Sequence, residues 1–292
     1  MALAHMPVAG TKRIHTYHGE ASLFEMNVLT PFEEKVSPQA KLELYGSGER
    51  SHYHFEPAGP YRLRGIASYE SGYTQVAGNR SLKHEGRFST LTTSVIEGLN
   101  ILDILTADRV VAQISTAHPI DGAVPEVSFL GSRFENLRIA GHEVKCETNL
   151  NILGPRPVED QCYFKNQTVM DRIEEQYGKL SAGDYFPDWA TERYPRDQPG
   201  WVTSNGAGDV AKCSLVNRAH CDQTSFGHVI DVPHFGKFFL AELQVTRRPP
   251  GPDEFYDAYN FHVTMIRMEL GCSTTANGGA SSAESNGQGG HN

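Results

Sequence analysis

Several features are missing from this sequence, and each absence narrows what the chain can be. No Cys-x-x-Cys pair occurs, and the five cysteines (Cys146, Cys162, Cys213, Cys221 and Cys272) are odd in number. This argues against a disulfide framework and for free thiols in a reducing compartment, the cytoplasm. Cys213 and Cys221 are near enough to meet across a hairpin, but spacing alone does not pair them. No apolar run approaches the roughly 18 residues that a membrane helix needs. The opening stretch MALAHMPVAGTKR has no apolar core, so no secretory signal is expected there. Dense Lys/Arg clusters are also absent, and the net charge is -9. Displacing counterions from phosphate needs a basic stripe, so a nucleic-acid partner is not expected, and neither is a membrane. No G-x-S-x-G elbow, phosphate-binding loop or dinucleotide fingerprint opens a helix.

What is present has a period of two. In EVKCETNLNI, Val144, Cys146, Thr148, Leu150 and Ile152 share one parity, and Glu143, Lys145, Glu147, Asn149 and Asn151 the other. Alternate strand side chains point to opposite faces, so this reads as a sheet with one dry side, usually antiparallel. Similar runs predict strands at 21–29, 41–45, 61–69, 88–96, 210–216, 226–232, 237–247 and 255–270. Around Pro119, Asp121 and Gly122 the pattern predicts a hairpin with a long loop, and Gly141 marks a tighter turn at 138–142. In the last strand the apolar parity changes between Met265 and Ile266, which predicts a bulge near Met265.

One helix interrupts the strands. In NQTVMDRIEEQYGKL, Val169, Met170, Ile173, Tyr177 and Leu180 recur at spacings of three and four. Thr168 and Asp171 have the spacing of a capping box. Residues 181–209 then mix prolines with Trp189, Tyr194 and Trp201, which reads as a packed loop crossing a sheet. The final stretch, STTANGGASSAESNGQGGHN, is low in complexity and reads as a disordered tail. The expected architecture is therefore all-β, an antiparallel sandwich or barrel. It forms a single domain over residues 1–271 with a helix and loop insert at about 166–209, and a disordered tail over 272–292.

Candidate chemistry is sparse. In GSGERSHYHFEP, His52, His54 and Glu56 share strand parity, and two imidazoles with one carboxylate can hold a divalent metal. Gly46, six residues before His52, resembles the opening of the first cupin motif. The cupin Glu that should follow is missing, since Ala58 and Gly59 stand there, and so is a second motif. Tyr61, Tyr69, Tyr73, Trp189 and Trp201 offer rings on which a ligand can stack, and the loop carrying Trp189 would form a lid or rim.

Three further stretches, TTSVIEGLNILDILTADRVVAQISTAHP, SFLGSRFENLRIAGHEV and FGHVIDVPHFGKFFLAELQV, resemble segments of uncharacterised bacterial β-rich proteins. The resemblance implies no catalytic residue. Three functions fit. The first is a non-catalytic β protein that binds a small molecule or protein partner through Tyr61, Tyr69, Trp189 and Trp201. The second is a cupin-like metal enzyme centred on His52, His54 and Glu56. The third is a self-assembling homo-oligomer built through strand edges.

Overall fold

The computed structural model describes residues 14–80, 86–119, 124–158, 162–181, 193, 200–204, 208–249 and 258–290. Most of these residues lie in two ten-stranded antiparallel sheets. In the first sheet the strands run in the order Trp201–Ser204, Gly208–Ser214, Gly236–Arg248, Ala258–Gly271, Thr275–Gly290, Ile14–Thr30 and Glu34–Gln39. Leu42–Ser47 also pairs with Ile14–Thr30. The second sheet is built on Ser71–Arg80, Phe88–Ile101 and Leu105–His118, with His52–Ala58 beside Ser71–Arg80. The period-two reading therefore gave the correct class, an all-β antiparallel fold.

Alternation explains why the sheets stack. Along Ala258–Gly271, Tyr259, Phe261 and Val263 are buried while Asn260, His262 and Thr264 are only partly so. One continuous cluster of buried apolar residues joins Leu23, Leu243 and Val263 of the first sheet to Ile96, Val110 and Ile114 of the second. That is the arrangement of two sheets packed through their dry faces.

The sheets are also joined by hydroxyl groups. Ser94 Oγ donates to the Ser22 carbonyl at 2.9 Å, and Thr116 Oγ1 lies 2.9 Å from Ser285 Oγ. Contacts this short demand small residues between the layers. A Cβ at Gly72 would sit 2.7 Å from the Leu23 side chain of the facing sheet, and one at Gly78 would meet the Tyr17 ring at 2.6 Å.

The change of parity at Met265 is present, but the register does not shift there, so it is a paired skip rather than the expected bulge. Glu242 pairs with Thr264 and Leu240 with Ile266, so Ala241 and Met265 are both skipped. The next strand skips Ser281 at the same level, between Ser282 and Ala280. Ala241 and Ser281 have φ of 49° and 55°. The irregularity runs across neighbouring strands and puts Val263, Met265 and Ile266 all in the core.

The C-terminal stretch corrects the sequence reading. Residues Thr275–Gly290 form a strand rather than a disordered tail, and it is hydrogen-bonded on both edges, to Ile14–Thr30 and to Ala258–Gly271. The segment is poor in apolar side chains, which is why its composition reads as disordered. Here two backbone ladders do the work, and Ala276, Ala280 and Ala283 fill the narrow gap beneath them.

Smaller departures have local causes. The expected strand 61–69 is two short strands, Tyr61–Leu63 and Ala67–Tyr69, split by positive φ at Arg64 and Gly65. In EVKCETNLNI the pattern is broken into the end of the short strand His142–Glu143 and the strand Lys145–Thr148, and the chain then turns at 149–153. The turn at Gly141 is present, with φ of 82°.

The predicted helix is Gln167–Ser181, and its stripe of Val169, Met170, Ile173 and Leu180 is buried as expected. The capping box does not form, because the helix begins one residue earlier and Thr168 lies inside it. Asp171 instead accepts from Gln167 Nε2 at 2.7 Å. Gln176, also buried, clamps the helix to the sheet edge. Its amide donates to the Ser214 carbonyl at 2.9 Å and accepts from the Ser214 N–H at 2.7 Å.

Candidate functional site

The outer face of the first sheet is polar, and its register assembles the site. Lys212 pairs with Gln244, Gln244 with His262, and His262 with Glu284. Two residues along, Glu242 pairs with Thr264 and Thr264 with Ser282. Cross-strand partners project from the same face, so these side chains form two adjacent polar rows. The helix covers one end of the rows, and there a cavity of about 430 Å³ is lined by Tyr177, Arg193, Lys212, Glu242, His262 and Arg267, among others.

Its electrostatics are well defined. Arg193 contacts Glu269 Oε1 at 2.6 Å and Glu242 at 3.0 and 3.2 Å, and its guanidinium lies 3.8 Å above the centre of the Phe239 ring. Burial pushes the Glu242 carboxyl up. The Arg193 guanidinium beside it, together with smaller contributions from His228 and Arg267, outweighs this and holds it below the usual carboxylate range. Burial drives the His228 imidazole down to about 4, so it is neutral at pH 7. Burial also raises the Tyr177 phenol and the Cys213 thiol to about 12 each. Cys213 is therefore an inert packing thiol, and all five cysteines are free. Arg267 only approaches its acidic neighbours, at 3.8 Å from Glu242 and 3.9 Å from Glu269, and its side chain is 52% exposed.

Beside the cavity runs a chain of hydrogen bonds. Asn260 Nδ2 donates to Glu284 Oε1 at 3.0 Å, and Glu284 Oε2 lies 3.2 Å from His262 Nδ1. His262 Nε2 is 3.0 Å from Thr264 Oγ1, which accepts from Ser282 Oγ at 3.2 Å. Burial raises the Glu284 carboxyl, but His262, with smaller contributions from Asn260 and His18, outweighs it and the group sits below its ordinary value. A larger hollow of about 630 Å³ near Leu130, Phe134 and Leu150 is lined by Arg133, Glu143 and Lys145 as well.

The residues singled out from the sequence lie elsewhere. His52, His54 and Glu56 share a strand face, opposite Gly78, Val76 and Thr74. His54 and Glu56 are exposed, whereas His52 is partly buried with Nε2 2.9 Å from the Ser47 carbonyl oxygen. Gly46 is in contact with it, since a Cβ there would lie 2.7 Å from the imidazole. Among the described residues, no three His, Cys, Asp or Glu side chains are grouped to hold a metal ion.

Tyr61 and Tyr69 stack with ring centroids 5.6 Å apart, and Tyr69 is buried, its hydroxyl donating to Gln39 Oε1 at 2.5 Å. Trp201 lies in the strand at the opposite edge of the first sheet from the strand of Gln39. Trp189 lies outside the described residues.

Sequence reasoning missed Arg193, Glu242, His262 and Glu284. The available signal was the polar parity of Asn260, His262 and Thr264, and it went unused because Glu284 sat in the supposed tail.

A family model described as Domain of unknown function (DUF8256) matches residues 15–246, and the chain belongs to that family. No curated protein and no solved structure matches it.

Proposed function

We propose that this member of the DUF8256 family is a cytoplasmic ligand-binding β protein whose ligand is a small polar molecule carrying a carboxylate. The supporting observation is the cavity at Lys212, Glu242 and Arg267. Its volume falls within the roughly 300–1,000 Å³ range of small-molecule sites. Arg267 and the exposed Lys212 supply donors for a carboxylate, and the anionic Glu242 accepts from a hydroxyl or ammonium group on the same ligand.

A thermal-shift panel of small organic acids and neutral sugars tests this reading. One or more acids should raise the melting temperature of the wild type and have little effect on a Lys212→Ala/Arg267→Ala variant. Equal shifts in both proteins, or none in either, would contradict it.

Assembly is the second reading, favoured by one strand. Among the described residues, His52–Ala58 pairs with only one neighbour, and it exposes Tyr53 and Phe55. An unpaired edge with exposed aromatics is a site for pairing with a second copy, although Glu56 and Pro57 blunt it. Solution mass measured against concentration separates this reading from the first.

A further inference from the structure

We infer that Thr264, His262 and Glu284 form an acyl-transfer relay that lets the cavity cleave small polar esters. The inference rests on the cavity being where small molecules bind, and it adds a reaction to that reading.

Each hydrogen bond in the relay has a definite direction. The ionised Glu284 can only accept, so His262 Nδ1 carries the proton between them. That tautomer leaves a lone pair on Nε2, 3.0 Å from Thr264 Oγ1. Ser282 Oγ already donates to Thr264 Oγ1, so the threonine's own proton points to His262. Asn260 fixes the far oxygen of Glu284. A hydroxyl in reach of an imidazole that a carboxylate orients is the arrangement that activates an otherwise weak nucleophile. His262 and Thr264 both line the cavity, and so do Lys212, Gln244 and Arg267, which can donate to an oxyanion.

The step balances without any co-reactant other than water. Thr264 Oγ attacks the ester carbonyl carbon as its proton moves to His262 Nε2, giving a tetrahedral oxyanion. Collapse breaks the bond to the alcohol oxygen, which leaves with the proton from His262. Water then attacks the acyl-threonine carbonyl, giving one proton to His262, and that proton returns to Thr264 as the free acid departs. Thr264 and His262 touch the reacting atoms, whereas Glu284 is a positioning residue.

The test uses the intact protein with p-nitrophenyl acetate, following p-nitrophenol release and locating the acetyl group by peptide mass spectrometry. The expected adduct is on Thr264. Thr264→Val and His262→Gln should each slow release by about 100-fold or more, the scale of a lost nucleophile or general base, with melting temperatures near wild type. Thr264→Ser should restore release. Glu284→Gln should lower the plateau and move the rising limb of the pH profile to lower pH, because the imidazole loses its anionic partner.

Acetyl groups found only on lysines, or release unchanged in Thr264→Val, would overturn the relay. Because adduct mapping is done on the wild type, it decides the matter even if a variant misfolds. If the organic-acid panel stabilises the wild type while no acetyl-threonine forms, the relay falls and the binding reading stands. If neither result appears, both fall.

Discussion

Ser281 on the first sheet and Ser94 on the second meet through a single hydroxyl. Ser281 Oγ donates to the Ser94 carbonyl at 2.9 Å and accepts from the Ala112 N–H at 3.0 Å. Ser94 and Ala112 are cross-strand partners, so a side chain of one sheet is tied into the backbone of the other. The contact is fully buried. Removing the hydroxyl leaves an N–H and a carbonyl short of a partner in the interior, which costs roughly 1–3 kcal/mol. Ser281→Ala should therefore lower unfolding free energy by about that amount in urea titrations. A change within error of zero would mean that this hydroxyl does not couple the sheets.

Gly72 and Gly59 make a matched pair. A Cβ at Gly72 would sit 2.6 Å from the Val95 carbonyl oxygen and 2.7 Å from Leu23, while one at Gly59 meets nothing within 4 Å. The Val95 atom belongs to the backbone and cannot swing aside. Gly72→Ala should cost about 2 kcal/mol or more, the scale of an overpacked core. Gly59→Ala should be neutral, within about 0.5 kcal/mol, as for an ordinary surface change. Equal melting temperatures for the two variants would contradict the close packing of the neighbouring strand and of Leu23 around Gly72.

Acid sensitivity should begin well above the range where carboxylates titrate. Burial lowers His15 to about 4, and lowers His118 to about 3 with smaller contributions from His15 and Arg156. Burial likewise lowers His228 to about 4. In the unfolded chain these groups take up protons near pH 6.5, and in the folded protein they do not until pH 3–4. The unfolded state therefore binds more protons in that window. Stability is highest above pH 6.5 and falls as pH drops toward 4, by up to about 1.4 kcal/mol per pH unit for each histidine. Urea midpoints at pH 7.5, 6.5 and 5.5 check this, and a flat profile would show that the three imidazoles charge freely in the folded state.

The sequence disclosed most of what depends on local period. The antiparallel class, the helix at 167–181 and the change of parity at Met265 follow from alternation and three-four spacing, which each side chain imposes on its own segment. What depends on partners was hidden. Thr275–Gly290 has almost no apolar content, so composition alone gave no reason to order it, and the reason lies in Ile14–Thr30 and Ala258–Gly271 on either side. The site was hidden for the same cause. His262 and Thr264 are two apart in sequence, but Glu284 and Ser282 reach them only through the register of that strand. Conversely, His52, His54 and Glu56 do share a face as their spacing predicts, yet a shared face on an exposed edge strand does not assemble a pocket.

Amide hydrogen exchange across residues 275–285 tests the account most directly, because the C-terminal strand completes the first sheet and delivers Glu284 to His262. These amides should exchange as slowly as those of the neighbouring Ala258–Gly271, with protection lost only in global unfolding. Complete exchange within seconds, while Ala258–Gly271 stays protected, would show that the C-terminal segment is not part of the sheet. The relay beside the cavity would then lose its carboxylate.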